Sequence, residues 1–369
     1  MKIKGVSVER YSADPEGKKA VYGGSEILIV RVSTDDGVVG TGFATATLAT
    51  APLLRHMIEG VIGPAIEGRD PWLTEELWAT MHAAIPRRGG DGTMRLATAS
   101  VDFALWDIKG KAANVPVSTL FGGRRERVPT YANCAHHMPP EELARRAAHD
   151  VANGHKALKI RGSFVSVDEA TDRVRHVREA VGPDIRLMVD VNGTWDVDTA
   201  IQQLRKWEPY GVYWLEEPVP PQDVAGYRRV RARSGDVYIV GGEQHVGLSE
   251  FRHLIDSDAV DIVQPNAAIT GGITDWLRIH AYATARNVPI SPWNLQSIHL
   301  HMATGLPNVQ WIEYFMPDNA LLQFQTQLLV GPPLREEVTP EGVFLLPPEA
   351  PGIGIELDPE MAERSRVRD

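Results

Sequence analysis

Three short apolar runs each end in a carboxylate: LMVDVN at Asp190, VYWLEEP at Glu216 and YIVGGEQ at Glu243. Asp190 and Glu216 are 26 residues apart, Glu216 and Glu243 27. A strand, a helix and two loops fill about that length. The spacing therefore predicts three consecutive parallel strands, each delivering one acid at its C-terminal end, the edge on which an α/β barrel builds its site. Solvated caps also place acids at strand ends, but three in succession point to a site. Converging carboxylates repel one another unless a cation sits among them, and hard oxygen donors suit Mg2+. On the preceding run, KALKIRG, alternation puts Lys159 and Arg161 on one face. Two cations beside a metal can hold and polarise a substrate carboxylate.

Those residues need a frame. From Val128 onward strand-like and helical segments alternate: VPTYANC, KALKIR, IRLMVD, VYWLEE, VYIVGG, AVDIVQ, VPISPW and VQWIEYF, with helical patterns between them. Eight strands with seven intervening helices and right-handed crossovers predict a closed (β/α)8-type barrel, a modified TIM barrel, with a weak eighth helix in 317–330. The first part reads differently. Strands are expected over 1–12 and 26–44, with a hairpin around Asp35-Asp36-Gly37. Helical patterns follow, including a long one through Leu96–Ala113. This is an N-terminal α+β capping domain, completed by a proline-rich C-terminal segment with short β-like pieces. The expected boundaries are 1–124 for the cap, 125–330 for the barrel with the metal site, and 331–369 for the return to the cap.

The chain of 369 residues is 43% hydrophobic and 23% charged, with a net charge of −10. These are values of an ordinary globular protein, and the negative balance argues against nucleic acid or an anionic membrane as partner. A single cysteine, Cys134, precludes an intramolecular disulfide and fits a reducing, cytoplasmic setting. MKIKGVSVERYSAD carries no apolar signal core, and no run approaches the roughly 20 apolar residues of a spanning helix.

With these motifs in hand, the chain resembles the enolase superfamily, in its mandelate racemase and acid-sugar dehydratase branch, over nearly its whole length. ASVDFALWDIKGKAANVPVSTLFGG resembles the helix closing the family's capping domain. KALKIRG resembles its Lys-x-Lys strand, and VDVNGTW, WLEEP and GGEQ its three ligand motifs. PGIGIELD resembles its C-terminal return. The resemblance implies an Mg2+-dependent enzyme that abstracts the α-proton of a carboxylate substrate through a metal-stabilised enediolate, dehydrating a sugar acid or hydroxy acid. Alternatives are a racemase, epimerase or cycloisomerase on a similar acid, or a non-catalytic metal- and sugar-acid-binding paralogue. By position, Asp190, Glu216 and Glu243 would bind the metal, Lys159 would contact the substrate carboxylate, and Glu313 in QWIEYF would hydrogen-bond the enediolate. A homo-oligomer is also implied.

Three positions depart from the family pattern. Arg161 stands where the second lysine acts as base, Asn266 where the sixth strand carries an aspartate, and Trp293 where the seventh presents a histidine. Arginine stays protonated, an amide cannot charge-stabilise an imidazolium, and an indole takes no proton. Candidates for the base are Lys159, if its pKa is depressed, and His245; His136, His137, His299 and His301 are further possibilities. Asn192, Asn266, Trp293, His136 and Tyr22 are candidate substrate-binding residues. Tyr22 and Arg88 lie in segments able to cover the barrel mouth.

Overall fold

The computed structural model describes the chain except residues 14–25, 86–91, 124, 135–137, 320, 330, 332–333 and 369. Tyr22, Arg88, His136 and His137 therefore lie outside the described residues.

The N-terminal unit is an antiparallel sheet of β1 (Ile3–Ser12), β2 (Glu26–Thr34) and β3 (Val39–Ala46), packed on the helix Thr93–Ala113. The β2–β3 hairpin turns where the sequence places it, at Gly37 with φ 90°. Two glycines let β3 approach the helix. A Cβ on Gly42 would lie 1.9 Å from the Ser100 carbonyl oxygen, and one on Gly40 2.0 Å from that of Ala104. The core between them joins Leu28, Val30 and Val32 to Ala97, Val101, Ala104 and Ile108.

The alternating part closes into a barrel. Parallel strands β4 (Val128–Asn133), β5 (Ala157–Arg161), β6 (Arg186–Asp190), β7 (Val212–Glu216), β8 (Tyr238–Gly241) and β9 (Ile262–Val263) neighbour one another in chain order, and β10 (Ile312–Tyr314) pairs back on β4. The seventh position is far shorter than VPISPW suggested. Ile290 alone bridges Val263 and Val309, because Pro289 and Pro292 flank it and donate no hydrogen bond to a ladder. Each of the seven connections carries at least one helix, and the weak eighth pattern yields only Gln323–Leu328. Inward residues Tyr131, Ala157, Met188, Trp214, Val240 and Ile262 form one apolar cluster. Outward ones such as Leu158, Val189, Leu215 and Val263 pack on the helices.

The C-terminal segment does two things. A hairpin of β11 (Glu336–Thr339) and β12 (Gly342–Leu345) lies antiparallel on β4, extending the barrel sheet. Beyond it the chain returns to the cap. Gly352 bridges Pro116, Arg366 bridges Tyr11, and the Ile353 amide donates to Asp107 Oδ1 at 2.8 Å. No helix among the described residues is long and apolar enough to cross a membrane.

Candidate active site

Asp190 and Glu216 are the last residues of β6 and β7, and Glu243 follows β8 by two residues. Strand periodicity turns them inward at one level. One carboxylate oxygen from each lies within 4.8 Å of the others. Asp190 and Glu216 are 0% exposed and Glu243 6%. Burial pushes the carboxyl groups of Glu216 and Glu243 up, and neighbouring carboxylates add to the rise. Two buried oxygens, Glu216 Oε2 and Glu243 Oε2, have no hydrogen-bond partner among the described residues. Buried acceptors are ordinarily satisfied, so a divalent cation of oxygen preference fits this donor set.

Two cations from β5 face the trio. Lys159 Nζ donates to Glu216 Oε1 at 2.8 Å, lies 2.8 Å from Glu313 Oε1 and 4.0 Å from Asp190 Oδ2. Burial alone would lower its pKa, but Glu216 and Glu313 outweigh that and hold it well above the ordinary lysine value. Arg161 Nη2 lies 3.3 Å from Asp190 Oδ2, and Nη1 donates to Asn192 Oδ1. Here too burial is outweighed by Asp190 and Glu243, and the guanidinium is held charged. Asn192, at φ 46°, braces the acids: its amide N donates to Asp190 Oδ1 at 2.8 Å and its Nδ2 to Asp190 Oδ2 at 3.2 Å.

Glu313, in β10, is fully buried beside Lys159. Asn133 Nδ2 donates to its Oε1 at 2.7 Å and the Asn294 amide to its Oε2 at 2.9 Å. Sequence reasoning missed both partners. Asn133 ends β4 as the acids end their strands, a signal that could have been read. Asn294 acts through its backbone and leaves none. Ser163, whose Oγ donates to Asn192 Oδ1 at 2.8 Å, was also missed.

The other candidates separate. Asn266 caps the helical turn Ala267–Thr270 through Oδ1 (2.8 Å to Ala268 N), and its Nδ2 donates to the Trp293 carbonyl at 3.2 Å. These two are thus neighbours at the ends of the sixth and seventh strands. His245 contacts the Pro221 backbone and packs on Phe251 at 6.0 Å between ring centroids; burial pushes its pKa down to about 4. None of its described hydrogen bonds or ring contacts is to the acid trio. His301 accepts from Ser118 N at 3.2 Å and donates to the Ile353 carbonyl at 3.0 Å, tying cap, barrel and return together. His299 likewise spends both nitrogens on backbone groups, Ala267 N and the Asn294 carbonyl.

The sequence matches the family models "Enolase C-terminal domain-like" over residues 142–361 and "Mandelate racemase / muconate lactonizing enzyme, N-terminal domain" over 20–122. It is 32% identical to a D-galactarolactone cycloisomerase of Agrobacterium fabrum, covering 93% of this chain and 92% of that one. It is 31% identical to an L-talarate/galactarate dehydratase of Salmonella typhimurium, covering 83% and 77%. The fold superposes on an L-talarate dehydratase from Polaromonas complexed with Mg and L-glucarate, with a TM-score of 0.86, 28% identity, and coverage of 100% and 98%.

Proposed function

The chain belongs to the mandelate racemase / muconate lactonizing enzyme family of the enolase superfamily, and from that premise we propose that it is an Mg2+-dependent enzyme that enolises a carboxylate substrate, dehydrating a sugar acid or hydroxy acid. The buried trio of Asp190, Glu216 and Glu243, with two carboxylate oxygens lacking partners among the described residues, carries this reading. The L-talarate/galactarate dehydratase and the D-galactarolactone cycloisomerase among its relatives agree with it. Asp190, Glu216 and Glu243 would hold the ion; when bound, it supplies charge stabilisation to the carboxylate of an enolising substrate. Lys159 and Arg161 hold that carboxylate from the β5 side, and Glu313, fixed by Asn133 and Asn294, hydrogen-bonds the developing enediolate. An α-proton next to a carboxylate is weakly acidic, so this preorganised charge must supply much of the barrier reduction.

The finer reading concerns the proton. Arg161, Asn266 and Trp293 stand in place of the family's usual proton-transfer groups. The Asn266 and Trp293 side chains supply no base on the face of the sixth and seventh strands. Arg161 stays protonated; Lys159, held charged by Glu216 and Glu313, would be the β5 group able to exchange a proton once a cation in the trio offsets those carboxylates. One-faced transfer favours elimination over inversion at the α-carbon. The same three residues favour, as a second reading, a paralogue that binds metal and sugar acid without turnover. Self-association into a homo-oligomer belongs to the proposal and is read by light scattering. The test of function is a panel of aldonates and aldarates with Mg2+. A 2-keto acid should form from at least one of them and vanish with EDTA. Product formation undiminished by EDTA sinks the metal role, and no product from any acid favours the binding reading.

A further inference from the structure

The loop after the seventh strand holds an unusual backbone. Asn294 and Leu295 are consecutive non-glycine residues in the left-handed region, at φ 55° and 44°. Leu295 is nearly buried. Such conformations are unfavourable for L-residues and persist only where the surroundings enforce them. The turn has a product: it aims the Asn294 amide at Glu313 Oε2, 2.9 Å away. It also ends the strand segment that carries Trp293.

One side chain fastens this turn. His299, 0% exposed, lies on the helix Gln296–Gly305 that the turn begins. Its Nδ1 donates to the Asn294 carbonyl at 2.6 Å, and its Nε2 accepts from Ala267 N at 3.2 Å. This pattern requires the neutral ring with its proton on Nδ1, and burial, which pushes the pKa down to about 4, keeps it so. Ala267 follows Asn266, which in turn grips the Trp293 carbonyl. The ring therefore bridges the loops that follow the sixth and seventh strands.

We propose that His299 is a positioning residue. It never touches substrate. It locks the Asn294–Leu295 turn against the Ala267 amide, so that a peptide N–H fixes Glu313 opposite Lys159. This rests on the enolisation proposed above, so the test includes a readout that needs no substrate.

His299→Phe keeps a ring and removes both hydrogen bonds; His299→Gln keeps one donor and one acceptor. Ala267→Pro removes the N–H that Nε2 accepts, at a first helical position that tolerates proline, and serves if the phenylalanine variant does not fold. For an acid that the wild type turns over, His299→Phe should lower kcat about ten- to a hundredfold with KM within twofold. His299→Gln should recover part of the loss. In amide exchange by mass spectrometry, His299→Phe and Ala267→Pro should lose protection over 293–296 while β4–β8 keep theirs. An unchanged kcat in folded His299→Phe, a loss carried by KM, or unchanged protection over 293–296 overturns the assignment. If the wild type turns over no acid, the proposed function fails, and the exchange result alone decides for or against His299.

Discussion

Replacing Glu216 with glutamine removes one charge of the trio and nearly nothing of its shape. The three ligand oxygens lie within 4.8 Å of one another. At an effective dielectric of about 20, each pair repels by roughly 3.5 kcal/mol. The substitution relieves two such pairs, roughly 7 kcal/mol on that scale. It also removes the attraction to Lys159 at 2.8 Å, roughly 6 kcal/mol on the same scale. These nearly cancel, and Lys159 keeps Glu313. The metal-free variant should therefore unfold within about 2 kcal/mol of wild type, less than a typical disruption of a buried ion pair. Metal binding has no such compensation. For wild type, Mg2+ at a hundredfold over its Kd stabilises by about 2.7 kcal/mol. Glu216→Gln should weaken binding on the order of a hundredfold or more, beyond the loss seen for groups outside the ligand set. Thermal denaturation with EDTA and with Mg2+, alongside calorimetric titration, reads both quantities. A variant retaining the full Mg2+-induced shift would refute the assignment of Glu216 as ligand. A variant that collapses without metal would refute the charge argument.

Other consequences are as definite. Asp102 on the cap helix caps the helix Ile273–Ala285, accepting from Thr274 N at 3.0 Å and Thr274 Oγ1 at 2.6 Å. Burial raises its pKa to about 7 despite Thr274 and Lys109. A raised acid holds its proton more tightly when folded, so its contribution is present below about pH 4 and lost as pH rises toward 7, at up to roughly 1.4 kcal/mol per pH unit. Urea midpoints of Asp102→Asn should show that slope flattened relative to wild type; an identical slope counts against it. Gly42→Ala drives a methyl into the Ser100 carbonyl and should cost about 3 kcal/mol or prevent folding; a denaturation midpoint equal to wild type would contradict the close β3–helix approach. The double change Asn266→Asp, Trp293→His should create inversion at the α-carbon, read by chiral analysis of recovered acid. If the variant folds, binds Mg2+ and gives no inversion, the one-face reading loses its basis.

Much of this is legible in the amino-acid sequence. The barrel announced itself because each apolar run ended in a carboxylate at a strand–helix interval, and period-2 alternation already put Lys159 and Arg161 on one face. The shrinkage of the seventh strand was written in Pro289 and Pro292, but its extent depends on which neighbours offer donors. The hairpin of β11 and β12 on β4 was not legible, since short β-rich pieces do not declare a partner some 200 residues away. The charge state of Lys159 was not legible for a related reason. Burial alone lowers a lysine, and only the packed geometry shows Glu216 and Glu313 both at 2.8 Å. His299 could be named as titratable, but its service to two backbone groups is a tertiary fact.

The central claim is enolisation at a metal held by Asp190, Glu216 and Glu243, with the proton moving on one face. It is tested most directly by incubating the protein with Mg2+ and the acid panel in D2O and following the α-position by NMR. The account predicts Mg2+-dependent deuterium incorporation or elimination for at least one acid, with no inversion of the remaining substrate. Exchange that persists in EDTA, or exchange accompanied by inversion, would contradict it.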